Sequence, residues 1–336
     1  MTVRTDTEQR KYAYELEVRD AACTRVLARG PLPMAKLREH AAFEARCRGY
    51  AAPEGAEPEV VERPRFLEGD ASRYLTSVGL EVRNGTRGAP LTKEYGTTVF
   101  ATQARALAQD LVRTGALAAG SHYTYLVSAA PEAPRSGLGS LAGAVRNLQP
   151  PIRARSREEL GIGGVVQDAP FDVYLPRHVL KEAEQWAEAG GNNEQAGFLL
   201  GCLGQDGGRV FLAVTAQAHA AGEGTCTSFR FTEDAGVAAR RLLAARGRGE
   251  CVVGWWHSHF WCATCPKRKE CAVSTVFFSA DDEAVMESGH AEPWQVALVV
   301  GFDGRETGYA AKLYGWLDGG VRERPFEIVD GPIEAD

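Results

Sequence analysis

The segment GWWHSHFWCATCPKRKECAVSTVFFSADD, Gly254 to Asp282, gathers two histidines, three cysteines and two adjacent aspartates. It follows Cys251–Val253 and, with it, forms the apolar run CVVGWWH. Such a run reads as a buried strand ending at the histidines. Side chains two apart on a strand share a face, so His257 and His259 can approach one ion. A third ligand must come from elsewhere. Asp282 is the best placed, in the first turn of a helix opened by Ser279; Asp281 is its neighbour and the alternative. Two imidazoles and a carboxylate leave one position open, which a catalytic zinc requires. A water activated there needs a base to take its proton. Glu194, in Asn-Asn-Glu-Gln just before the apolar run QAGFLLGCL, could be presented by the edge of that strand.

Each element also has an ordinary reading. Ser279-Ala-Asp-Asp282 is a helix-capping signal in its own right. Glu194 alone reads as a solvated loop residue. His219 and His290 are isolated and read as structural. Of Trp255 and Trp256, alternation sends at least one into the core, and both are expected to pack there.

Working outward, the C-terminal half carries dense signals. Arg177–Ala189 has helical spacing, with Leu180, Ala183, Trp186 and Ala187 on one side and Gly190-Gly191 as the stop. Strands are expected over Gln195–Leu203, Arg209–Ala216, Cys226–Phe231, Cys251–His257, Gln295–Phe302 and Gly308–Trp316. A helix over Glu233–Ala245 would be capped by Thr232, with Leu242 and Ala245 facing inward. The N-terminal half reads as strands at Tyr12–Val18, Val78–Arg83 and His122–Ala129, with helices at Met34–Cys47 and Ala101–Ala118. Ala51–Arg65 reads as a gap. The division expected is an N-terminal domain over 1–130, a Pro- and Gly-rich linker over 131–164, and a C-terminal domain over 165–325.

The 336 residues suffice for two domains, and 44% hydrophobic with 24% charged residues is ordinary for a globular chain. A net charge of −6 argues against a general nucleic-acid binder. No apolar run reaches the length of a membrane span. The N-terminus, MTVRTDTEQRKYAYELEVRD, lacks the apolar core of a secretion signal, so a cytoplasmic location is expected. In a reducing compartment, clustered cysteines suggest a metal before a disulfide.

Taken together, the upstream Glu194, His257-Ser258-His259 and Ser279-Ala-Asp-Asp282 resemble the JAB/MPN family, and within it the JAMM metalloproteases of bacterial type. The contexts match as well: an amphipathic helix before Glu194-Gln-Ala-Gly-Phe-Leu-Leu-Gly201, then an apolar strand into Gly-Trp-Trp-His-Ser-His. The resemblance spans about residues 166–318. It implies an α/β fold: a C-terminal MPN/JAB mixed β-sheet flanked by helices, cytidine-deaminase-like, beside a smaller N-terminal α+β domain of unknown role. It implies zinc held by His257, His259 and Asp282, with Glu194 as general base and the Ser279 hydroxyl stabilising an oxyanion. The implied activity is a zinc-dependent isopeptidase, cleaving the amide after the C-terminal glycine of a ubiquitin-like protein. Expected partners are that modifier or its conjugates and the activating and conjugating enzymes of its pathway, with no nucleic acid or membrane. Release of a small molecule or short peptide from a sulfur-carrier protein is an alternative, and a non-catalytic MPN scaffold is another.

The chain departs from the family in the spacer 260–278, which is longer than usual and replaces the usual proline after the second histidine by Phe260. It holds Cys262, Cys265 and Cys271. A thiolate on the catalytic zinc would close its open position, so these cysteines are not expected to share that ion. A second, structural zinc site, an iron–sulfur cluster and plain thiols remain open readings, with His290, Cys251 or a solvent molecule as candidate fourth ligands.

Overall fold

The computed structural model describes residues 11–49, 58–67, 73–83, 90–132, 152–164, 169–232, 234–259, 274–302 and 308–334. The chain divides into two compact units, 1–46 with 50–147, and 47–49 with 148–336. All three clustered cysteines lie outside the described residues.

The first unit contains β1 (Tyr12–Asp20), β2 (Val26–Pro31), α1 (Ala35–Cys47), β3 (Glu59–Phe66), β4 (Leu75–Arg83), β5 (Leu91–Gly96), α2 (Ala101–Arg113) and β6 (Tyr123–Pro131). Two three-stranded antiparallel sheets form, ordered β2-β1-β6 and β3-β4-β5. Leu16, Leu37, Leu80, Tyr95, Phe100 and Val127 belong to one core. The segment read as a gap therefore contains a strand. Pro64 and the charges of EVVERPRF hide it, yet β3 is an edge strand, where a proline and exposed charges are tolerated.

The second unit contains β7 (Arg153–Ala154), β8 (Asp172–Pro176), α3 (Arg177–Gly190), β9 (Ala196–Asp206), β10 (Arg209–His219), β11 (Gly222–Gly224), β12 (Phe229–Phe231), α4 (Ala235–Arg246), β13 (Cys251–Ser258), α5 (Ala280–Gly289), β14 (Val296–Phe302), β15 (Tyr309–Leu317), β16 (Gly320–Arg324) and β17 (Glu327–Val329). One mixed sheet runs β16-β15-β14-β13-β9-β10-β8-β17, with β7 paired to β9. β13 lies at its centre, parallel to β14 and antiparallel to β9. Gly254 is required there: a Cβ would collide with the backbone of Val296 on the neighbouring strand.

Five expectations change. Part of the expected linker belongs to the second unit, because Arg153–Ala154 pair with β9 and Ile162 enters its core. Arg157 anchors this segment, bonding Asp206 at 3.3 Å and the fully buried Asp172 at 3.2 Å; Arg209 also grips Asp172, at 2.7 and 2.8 Å. The sheet also extends past residue 325, through β17. Thr232 does not cap α4: Asp234 occupies that position, and the Thr232 hydroxyl donates to the Ala221 carbonyl. α4 buries Ala235 and Ala239 rather than Leu242 and Ala245, both exposed. Trp186 is likewise 40% exposed and lies flat on the ring of His219, 3.8 Å between centroids. Helical spacing selected its face of α3 but not where the covering sheet ends.

Candidate metal centre

β13 ends in His257-Ser258, and His259 continues past it; alternation puts His257 and His259 on the face that α5 covers. Their Nε2 atoms face each other at 2.9 Å. α5 brings up Asp282, whose Oδ1 lies 3.0 Å from His257 Nε2 and whose Oδ2 lies 3.4 Å from His259 Nε2. All three residues are buried, and a set of donor atoms drawn one from each lies within 4.8 Å of one another. Asp282, rather than the exposed Asp281, is thus the carboxylate brought to the histidines.

Ser258, between the two histidines, points to the other face and ties the Glu194 segment to this strand end. Its N–H donates to the Gln195 carbonyl at 2.8 Å, and its Oγ accepts the Gln195 N–H at 2.9 Å. The Glu194 N–H donates to the Thr225 carbonyl at 2.8 Å, fixing it to the turn between β11 and β12. Glu194 is therefore 5% exposed and not a solvated loop residue. It shares a pocket with His257, His259, Ser279 and Asp282.

Both readings of Ser279-Ala-Asp-Asp282 hold together. Ser279 is the N-cap of α5: its Oγ accepts the Asp282 N–H at 3.1 Å, and its own N–H donates to Asp282 Oδ2 at 2.6 Å. The capping box orients the carboxylate that meets the histidines.

Electrostatics follow from burial and from these partners. Burial alone would raise Asp282, but hydrogen bonds from both imidazoles and from the Ser279 N–H hold its carboxyl well below the usual range. Burial lowers His257 despite Asp282. On His259 burial also opposes charge, yet Asp282, Glu194 and the Thr275 carbonyl outweigh it and push the pKa up. Burial, helped by Asp282 and Asp281 and opposed by His259, pushes Glu194 up to about 7.

The donor set suits zinc: two imidazole nitrogens and a carboxylate oxygen, with one position left for a substrate or water. His259 Nδ1 lies 3.0 Å from the Thr275 carbonyl; donating there leaves Nε2 as the atom that would ligate an ion. Two imidazole Nε2 atoms and a carboxylate converging in a buried site make a donor set that a cation can occupy.

Several pocket residues were not singled out in the sequence. Cys226, Thr227, Ser228 and Phe229 form one wall, and Phe277 and Val285 another. Phe277 is 53% exposed and sits 4.8 Å from the His259 ring. The strand expected over Cys226–Phe231 shortens to β12, Phe229–Phe231, and β11 went unmarked because its Gly-Glu-Gly carries no apolar alternation. Trp255 was expected only as core; it is buried, but its ring also lies parallel to His257, 4.4 Å away. Trp256 is fully buried, and its Nε1–H donates to Gln217 at 3.0 Å.

Residues 176–266 match the family model described as prokaryotic homologs of the JAB domain. The match includes Glu194, His257 and His259 and stops before Ser279 and Asp282. No curated protein matches the chain. Among solved structures, the solution structure of protein DSY2949 from Desulfitobacterium hafniense is similar at 18% identity and a TM-score of 0.34, over 48% of this chain and 94% of that one. A likeness of that degree decides nothing about chemistry. Among the described residues, no helix is long and apolar enough to cross a membrane.

Proposed function

We propose, for a chain whose second unit carries a bacterial-type JAB domain, that it is a zinc-dependent peptidase. Its substrate would be the amide after the C-terminal glycine of a ubiquitin-like protein. The observation that carries the reading is the convergence of His257, His259 and Asp282 beside the buried Glu194. His257, His259 and Asp282 would hold the ion. When bound, zinc supplies a Lewis acid that polarises a carbonyl and lowers the pKa of water.

The chain's own groups do the rest. A carboxyl with a pKa near 7 accepts and returns a proton near neutral pH, which suits Glu194 to take it from the attacking water and pass it to the leaving amine. Ser279 Oγ accepts the Asp282 N–H, so its hydroxyl proton can be donated toward developing negative charge in the pocket. Trp255, Phe229 and Phe277 give the pocket apolar walls that help exclude water around a small glycine tail. The ubiquitin-like substrate is supported by the family resemblance alone.

The test offers the zinc-loaded full chain an isopeptide-linked ubiquitin-like conjugate and, in parallel, a modifier with a short C-terminal extension. Cleavage of the conjugate, lost on chelation and in Glu194→Gln, is expected. Cleavage of the extension alone would favour precursor processing. Bound zinc with neither substrate cut would shift the reading to a scaffold. An absence of zinc from the wild-type protein would end the metallopeptidase reading.

A further inference from the structure

His257 and His259 are supported in different ways. The Nδ1 of His259 has the Thr275 carbonyl at 3.0 Å. The Nδ1 of His257 is buried and, among the described residues, has no hydrogen-bond partner. A ligating histidine ordinarily has its ring plane and tautomer set by a bond at the other nitrogen, and the loss of such a partner typically costs ~10–100-fold in metal affinity. Something else must hold the His257 ring.

The register between β13 and α5 shows what does. Along α5, Asp282, Met286 and His290 succeed one another at four-residue spacing, on one face. Along β13, His257 and Trp255 share a face in the opposite order. Asp282 meets His257, and Met286 Sδ receives the Trp255 Nε1–H at 3.3 Å. One turn further, the ring of His290 lies nearly parallel to Trp255, at 14° and 6.0 Å. Trp255 is also parallel to His257, at 11° and 4.4 Å. The indole is thus nearly parallel to two imidazoles, all three buried. The backbone of His290 is fixed, its carbonyl accepting the Trp316 Nε1–H at 2.9 Å.

We infer that Trp255, backed by His290, is a positioning residue that holds the His257 ring in its metal-binding orientation by stacking, in place of a hydrogen bond at Nδ1. The inference rests on the metal site proposed above. Stacking fixes the plane of a ring through its faces, and parallel aromatic pairs of this kind are favourable in buried sites.

The test reads Co2+ binding to the full chain, by chelator competition and by the visible absorption of the bound ion. Trp255→Leu removes the stack, Trp255→Phe keeps a flat ring, and His290→Leu removes the backing. Trp256→Leu is the control: an equally buried indole from the same strand, directed to the other face. Expected are a loss of about 10–100-fold in affinity for Trp255→Leu, about 3–10-fold for His290→Leu, and near wild-type binding for Trp255→Phe. Trp256→Leu should lower thermal stability at least as much while keeping affinity and absorption. Equal losses of affinity in Trp255→Leu and Trp256→Leu would reduce the effect to general loosening and overturn the inference, as would unchanged binding in Trp255→Leu. If Trp255→Leu does not fold, His290→Leu decides by the same criterion. A wild-type chain that binds no Co2+ would overturn the metal site itself, a separate failure from binding that ignores the stack.

Discussion

Asp282 accepts the backbone N–H of Ser279 at 2.6 Å with one carboxylate oxygen while its other oxygen stands 3.0 Å from His257. One side chain therefore ends the loop, starts α5 and completes the donor set. The two roles separate by substitution. Asp282→Asn keeps an oxygen that can accept the Ser279 N–H but loses the charge; metal should be lost and the helix kept. Asp282→Ala should lose both, with unfolding easier by about a further 1 kcal/mol. Ser279→Ala should cost about 1 kcal/mol and keep the metal. Elemental analysis and denaturant unfolding of the three variants check this; metal retained in Asp282→Asn would contradict it.

Glu194 is held where ionisation is unfavourable, and stability should register the cost. Its folded pKa, near 7, lies above the ordinary carboxylate value of 4.5. Between those values the folded protein keeps a proton that the unfolded chain gives up. Its contribution is therefore complete below the unfolded pKa and lost as pH rises through the folded one. In metal-free protein, Glu194→Gln should raise stability at pH 8 by on the order of 1–2 kcal/mol, once solvent screening is allowed for, and change little at pH 4. An equal effect at both values would show that ionisation is not the cause.

The first unit offers the opposite sign. Glu17 is fully buried on β1 and receives Arg19 at 2.8 Å and the Tyr74 hydroxyl at 3.0 Å; Arg29 and Arg73 pair with it as well. Burial pulls its pKa up, but these partners prevail and hold it down. Its contribution is present above the unfolded carboxylate pKa and lost as pH falls through the depressed one. Glu17→Gln should cost on the order of 1–3 kcal/mol at pH 7 and less as the pH falls toward 3. Urea titrations across that range are the measurement, and a pH-independent cost would sink the argument.

The chemistry was more legible in the sequence than its surroundings were. Strand alternation alone puts His257 and His259 on one face, and the capping signature at Ser279 fixes where Asp282 enters. Those are local rules. What the sequence could not supply was tertiary: that Ser258 ties Gln195 to the strand end, that Phe277 stands beside His259, or that the β11–β12 hairpin walls the pocket. Trp186 and Leu242 illustrate the limit, since helical periodicity names a face but not the extent of what covers it. β3 was missed because its edge position permits the proline and charges that made it look like loop.

The glycine at the end of β11 allows the position of Glu194 to be tested apart from its chemistry. A Cβ on Gly224 would collide with the backbone carbonyl of Glu194, which the Thr225 bond holds against the hairpin. Gly224→Ala must therefore displace Glu194 or the hairpin, while His257, His259 and Asp282 come from β13 and α5 and are held by other contacts. Zinc content should stay at the wild-type level. Turnover of a Gly-Gly-terminated aminocoumarin amide should fall by about 10²-fold, the usual consequence of a shift near 1 Å in a reacting group. Gly254→Ala makes the contrast, because its Cβ would strike the Val296 backbone beside the metal-bearing strand; zinc and turnover should fall together, with a stability loss of about 1–3 kcal/mol. If Gly224→Ala loses its zinc, the hairpin supports the metal ligands and not the base. If it keeps full turnover, Glu194 does not depend on the hairpin for its position.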